Sequence, residues 1–143
     1  MDMIYINTDG GSRGNPGPAA IGVVFFDPDQ NMIYSYKECI GKGTNNEAEY
    51  RAIIKALEIL LKSKWFAENN IANKKVICRL DSKLVVEQIN GAWKIKEDRI
   101  KEFMVKIRSM IDQVHLNIIF VHIPREENKA ADKLVNEALD EAL

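Results

Sequence analysis

The sequence predicts an α/β fold in which a five-stranded mixed sheet, three antiparallel strands followed by parallel ones, is covered by helices. Three observations carry this. The chain opens with three segments rich in β-branched and aromatic residues, joined by short loops of turn-forming residues, as in an antiparallel meander. Four later segments place apolar residues at helical spacing. Two further apolar runs, KVICRL and LNIIFVHI, lie among those helices. They reach the sheet only by crossovers, so they are expected to run parallel to the first strand.

Each element has its own signal. Met3–Asp9, Ala20–Phe26 and Asn31–Glu38 read as the three opening strands, with DPDQN turning the chain between the last two. Thr44–Lys62 has helical periodicity, and Thr44 with Glu47 three residues later forms a capping box. Lys75–Leu80 is a fourth strand and Ser82–Asn90 a short helix stopped by Gly91. Asp98–Val114 is a longer helix, Leu116–Ile123 a fifth strand, and Glu126–Leu143 a last helix. Repeats, low-complexity tracts and linkers are not evident, so residues 1–143 read as one domain.

Composition narrows the function. The 143 residues are 46% hydrophobic and 29% charged, with a formal net charge of −1. A chain this neutral has no global attraction to nucleic acid, so phosphate binding would need a local patch or bound cations. An apolar run of membrane-spanning length and a signal peptide are both lacking, so a cytoplasmic protein is expected, without a membrane partner. Cys39 and Cys78 lack metal-ligand spacing and are expected to be buried structural thiols.

Four carboxylates break local rules. On the first long helix Glu47, Arg51, Lys55, Glu58 and Lys62 form a polar stripe, but Glu49 lines up with Ile53, Ala56, Leu57 and Leu60 on the apolar one. On the last helix Asp132 lines up with Val135, Leu139 and Leu143 in the same way. Asp9 and Asp81 end strands, where ligands gather beyond the carboxyl ends of parallel sheets. Each alone has a bland reading, as a helix-border acid leaning into solvent or a turn and cap residue. Together at one end of a sheet they would repel one another unless cations held them. Oxygen-only ligation favours Mg²⁺, and two histidines without clustered thiols disfavour zinc. The stretch after Asp9 carries four glycines and two prolines within residues 10–18, more than a plain turn needs.

TDGGSRGNPGPAAIG, TNNEAEYRAIIKALE, DSKLVVEQINGAW and PREENKAADKLVNEA resemble, in order and spacing, the motifs of type 1 ribonuclease H. The resemblance spans nearly the whole chain, in a compact form without a basic protrusion or a hybrid-binding domain. It implies the ribonuclease H-like fold and hydrolysis of the RNA strand of an RNA–DNA hybrid by two Mg²⁺ ions, with Mn²⁺ as a second candidate. It implies 5′-phosphate and 3′-hydroxyl products. Asp9, Glu49, Asp81 and Asp132 correspond to the family's metal-binding acids, with Asp9 bridging both ions. Arg125, in the loop before the last acid, takes the place of a loop histidine and would contact the scissile phosphate, leaving His122 a strand residue.

Gly10, Gly11 and Gly14 are expected to let the backbone approach a sugar–phosphate chain, with Ser12, Arg13 and Asn15 as donors. Thr44, Asn45 and Asn46 lie where the minor groove and its 2′-hydroxyls would be read, and Ser82 beside Asp81. Residues 83–108 carry seven Lys and Arg against four acids, and Trp93 beside Lys94 suits the DNA strand's backbone. A monomer is expected. Two other readings stay open: a nuclease of the same fold acting also on double-stranded RNA, and a non-catalytic hybrid-binding protein.

Overall fold

The computed structural model describes residues 1–68 and 73–142. The chain runs β1 (Met3–Ser12), β2 (Gly17–Phe26), β3 (Met32–Gly43), α1 (Asn45–Leu61), α2 (Lys64–Ala67), β4 (Lys75–Leu80), α3 (Lys83–Ile89), α4 (Asp98–Gln113), β5 (Ile118–His122) and α5 (Lys129–Glu141), with a 3₁₀ turn at Arg125–Glu127. The five strands form one sheet in the order β3-β2-β1-β4-β5. β1 pairs antiparallel with β2 and β2 with β3, whereas β4 joins β1, and β5 joins β4, in parallel. The expected architecture is therefore present.

The strands reach further than the sequence suggests. β1 does not stop at Asp9: Gly10, Gly11 and Ser12 stay in the ladder opposite Ile21, Ala20 and Ala19 of β2. Glycine has low strand propensity, and here cross-strand pairing overrides it. β3 likewise continues past Glu38 to Gly43, with irregular register beside Ile33 and Ile40. The last helix starts at Lys129 rather than Glu126, because Arg125–Glu127 close a 3₁₀ turn first. Leu143, included in that expected helix, lies outside the described residues. The one-turn helix α2 was not anticipated; Ser63 caps it by accepting from the Phe66 N–H.

α1 and α5 cover opposite faces of the sheet. Neighbouring residues on a strand point to opposite faces, and Gly10 lies under the α1 backbone while Gly11 faces Val135 of α5. Ile4, Ile6, Val23, Tyr50, Ile53, Leu57, Leu60, Val76 and Leu80 fill the α1 side, which α3 and α4 extend with Val85, Ile89 and Ile107. A smaller cluster of Ala20, Val135, Ala138 and Leu139 seats α5. Cys78 is buried, but Cys39 is exposed, because the edge strand β3 leaves it at the surface.

Candidate active site

Three acids meet where β1 and β4 present adjacent backbones. The parallel register pairs Asn7 with Arg79; continued by two residues, it sets Asp9 level with Asp81, just past the end of β4. The capping box, with Thr44 Oγ1 accepting from the Glu47 N–H at 3.1 Å, fixes the start of α1 and turns Glu49 toward the sheet. One carboxylate oxygen from each of Asp9, Glu49 and Asp81 lies within 4.8 Å of the others. Asp9 and Glu49 are each only 7% exposed.

This arrangement is electrostatically uphill for a folded protein on its own. Burial, then the repulsion of Asp81 and Asp132, push the Asp9 carboxyl up to about 7. Burial and the neighbouring Asp9 raise Glu49 well above the ordinary carboxylate range. Glu49 Oε2 is buried without a hydrogen-bond partner among the described residues. A buried oxygen left unpaired costs free energy, and a divalent cation is the partner that three converging carboxylates would accept. The donor set fits a hard cation.

Asp132 stands apart from this trio. It sits in the first turn of α5, partly exposed, with its Oδ1 3.8 Å from Arg125 Nη2. Asp9, Glu49, Asp81, Asp132 and Arg125 nevertheless line one cavity of about 500 Å³. Gly10, Gly11, Ser12, Arg13 and Asn45 line it as well.

Two of the glycines also have a structural task. A Cβ on Gly10 would meet the Ala48 carbonyl carbon at 2.2 Å, so this glycine admits α1 to the sheet. Gly14 adopts φ +91°, a left-handed conformation suited to glycine. The 12–17 loop is anchored by protein contacts: Asn45 Oδ1 accepts from the Ser12 N–H at 2.9 Å, and Asn15 Oδ1 from the Asn45 N–H at 3.0 Å. Arg13 is ion-paired with Asp140 at 2.6 Å.

The remaining expected contacts do not line the acid cavity, although Ser82 directly follows Asp81. Thr44 caps α1 and Ser82 caps α3 through the Val85 N–H. Asn46 and Lys94 line a separate cavity of about 280 Å³ between α1, α3 and the segment before α4. Trp93 is 45% exposed, with Lys83 Nζ 5.9 Å from its ring centroid. His122 ends β5 on the surface.

Sequence reasoning missed Asn128. It is fully buried, and its Nδ2 donates to the Thr8 carbonyl at 2.9 Å and to Asp81 Oδ2 at 3.2 Å. Its own carbonyl accepts from the Asp132 N–H at 3.1 Å. One side chain and its backbone thus tie together the three elements that carry Asp9, Asp81 and Asp132. The available signal was an asparagine four residues before an acid at a helix start, which reads as an ordinary cap.

Comparison with known proteins agrees with this geometry. The family described as reverse transcriptase-like matches residues 7–138. A bifunctional protein of Mycobacterium tuberculosis is 38% identical over 140 residues, covering 97% of this chain and 36% of its own length. Ribonuclease HI of Halobacterium salinarum is 39% identical over 139 residues, covering 97% of this chain and 65% of its own. The chain therefore spans between about a third and two thirds of these relatives. Among solved structures, a ribonuclease H1 isolated from compost by a metagenomic approach superposes with a TM-score of 0.91 at 47% identity, covering 99% of both chains. That relative has also been solved in complex with an RNA/DNA hybrid. Placed by sequence, fold and acid cluster alike, the chain belongs to the type 1 ribonuclease H family.

Proposed function

We propose that this chain is a divalent-metal-dependent endoribonuclease that hydrolyses the RNA strand of RNA–DNA hybrids, leaving 5′-phosphate and 3′-hydroxyl ends. One observation carries the reading: the oxygens of Asp9, Glu49 and Asp81 converge within 4.8 Å although two of these acids are buried. The hybrid complex of the compost relative supports the choice of substrate.

Asp9, Glu49 and Asp81 would hold the cations, with Asp132, which lines the same cavity, completing the set. The proposed ions are two Mg²⁺, with Mn²⁺ as a second candidate. Once bound, such ions offset the carboxylate and phosphate charges and lower the barrier for water to displace the 3′ oxygen in line. The chain's own residues set the stage. Asn128 orients Asp81, the capping box aims Glu49, and Arg125 reaches into the same cavity, where its charge faces a phosphate. Arg13 and the basic segment 83–108 would line the approach of the hybrid, and Trp93 and Lys94 would meet its DNA strand. The shared core supports a single domain. No helix among the described residues is long and apolar enough to cross a membrane. A cytoplasmic monomer completes the proposal.

A labelled RNA–DNA hybrid, double-stranded RNA and double-stranded DNA, each incubated with Mg²⁺, Mn²⁺ or EDTA, test it. Internal cuts confined to the hybrid's RNA, dependent on metal and ending in 5′-phosphates, are the expected result. Cutting of double-stranded RNA would widen the substrate. Binding of the hybrid without cutting under either metal would overturn the enzymatic reading.

A further inference from the structure

A second cavity, of about 250 Å³, is lined by Asn7, Phe26, Gln30, Arg79, Ile123 and Glu127. Asn7 precedes Asp9 by two residues, Arg79 precedes Asp81 by two, and Glu127 directly precedes Asn128. The cavity is thus walled by the supports of the catalytic end, although it shares none of its residues.

Arg79 is held in a fixed pose. Its guanidinium carbon is 4.3 Å from the Tyr5 ring centroid and 5.4 Å from that of Phe26, and its Nε donates to Asn7 Oδ1 at 2.7 Å. Among the described residues no carboxylate lies within 4.0 Å of it, in contrast to the paired Arg13 and Arg99. Its remaining N–H groups have no protein partner among those residues. A guanidinium kept rigid by two rings and a buried amide, yet left unpaired, is preorganised for a planar acceptor edge. Glu127 stands on the same cavity wall as an acceptor, Phe26 offers a ring, and Ile123 an apolar side.

We propose that this cavity binds the guanine base of a mononucleotide, with Arg79 donating to O6 and N7 and Glu127 accepting from N1–H and the N2 amino group. Guanine presents acceptors on one edge and donors on the next, which matches one fixed cation and one carboxylate. Adenine would set its N6 donors against Arg79. A bare phosphate would meet Arg79 only against the repulsion of the Glu127 carboxylate on the same cavity. The volume holds a base and leaves sugar and phosphate at the mouth. A bound base would press on the turn that carries Arg125 and Asn128, so occupancy would be felt at Asp81.

The test uses the whole ¹⁵N-labelled chain in EDTA, which removes cations that could bridge phosphates to the acids. GMP, AMP and inorganic phosphate are titrated separately while the Arg79 Nε–H and the backbone amides of Asn7, Gln30 and Glu127 are followed. GMP should shift these signals saturably and bind about tenfold more tightly than AMP, and phosphate should leave them in place. Arg79→Lys and Glu127→Gln should each weaken GMP about tenfold. Equal responses to all three probes, or GMP shifts confined to residues 83–108, would overturn the proposal. If Arg79→Lys fails to fold, the exposed Glu127→Gln decides alone: unchanged GMP affinity refutes the base-reading site. None of these readouts depends on hybrid cleavage, so a failed ribonuclease assay and a failed titration remain distinct results.

Discussion

Replacing Asp9 by asparagine should stabilise the protein while abolishing turnover, and the size of the gain follows from the site's electrostatics. The Asp9 carboxyl titrates near 3.8 in an unfolded chain and about 7 in the fold. The native state therefore holds the proton more tightly, and stability falls as pH rises between those values. The penalty is absent below the lower value, grows through the interval and is constant above it. A separation of about three pH units corresponds to about 4 kcal/mol at most. The hydrogen bonds that the ionised group receives from the Gly10 N–H and Glu49 are already contained in that balance. An asparagine amide recovers them only in part, leaving a gain of about 2–3 kcal/mol above pH 8. For a chain of this length that is a rise in Tm of roughly 6–10 °C. Calorimetric melts of both proteins in EDTA at pH 4, 5.5, 7 and 9 give the comparison. The curves should converge at pH 4 and separate by pH 9, and Mg²⁺ should raise the Tm of the unsubstituted protein more than that of Asp9→Asn. A variant less stable at pH 9, or a gain independent of pH, would refute the argument that these acids are mutually destabilising.

The other expectations concern the supports of the site. Asn128→Ala removes a buried donor to Asp81 and Thr8 and should cost about 1–3 kcal/mol. The hybrid-cleavage rate of Asn128→Ala should fall with little change in KM, and an unchanged rate would show that Asp81 needs no orientation. Gly10→Ala places a methyl against the Ala48 backbone and should lower stability by about 1–3 kcal/mol, seen as a lower midpoint in urea. Glu47→Ala breaks the capping box and the 3.0 Å contact with Arg99, costing about 1 kcal/mol, while cleavage stays near the unsubstituted rate. Loss of cleavage in Glu47→Ala together with retention in Glu49→Ala would invert the assignment of the two faces of α1.

How far the sequence reveals this molecule depends on whether a residue's reason is local. Glu49 was conspicuous because helical spacing assigns it to an apolar stripe, and its 7% exposure bears out that placement. The parallel placement of β4 and β5 followed from the crossovers that precede them. β1 was cut short at Asp9 because the glycines after it look like loop, and only pairing with β2, some ten residues along the chain, holds them extended. Asn128 was missed for a related reason. Its position suggests a helix cap, yet its side chain caps nothing and reaches instead to β1 and Asp81. Cys39 was expected inside from composition alone, and the outcome turned on β3 being an edge strand.

Gly10 has a counterpart on the neighbouring strand. Gly22 pairs with Asp9 in the β1–β2 register, and a Cβ there would meet the Ala131 carbonyl oxygen at 2.4 Å. One glycine seats the helix that brings Glu49; the other, on the opposite face, seats the helix that brings Asp132. The thickness of the molecule at the acids is therefore gauged by two missing methyl groups. A single carbon added on either side acts as a shim, jacking one helix outward and widening the gap between acids. Metal–oxygen distances of Mg²⁺ and Ca²⁺ differ by only about 0.2–0.6 Å, so a small shift is enough to matter. Changes in ion preference can thus arise from the backbone seats of α1 and α5 while every carboxylate stays in place.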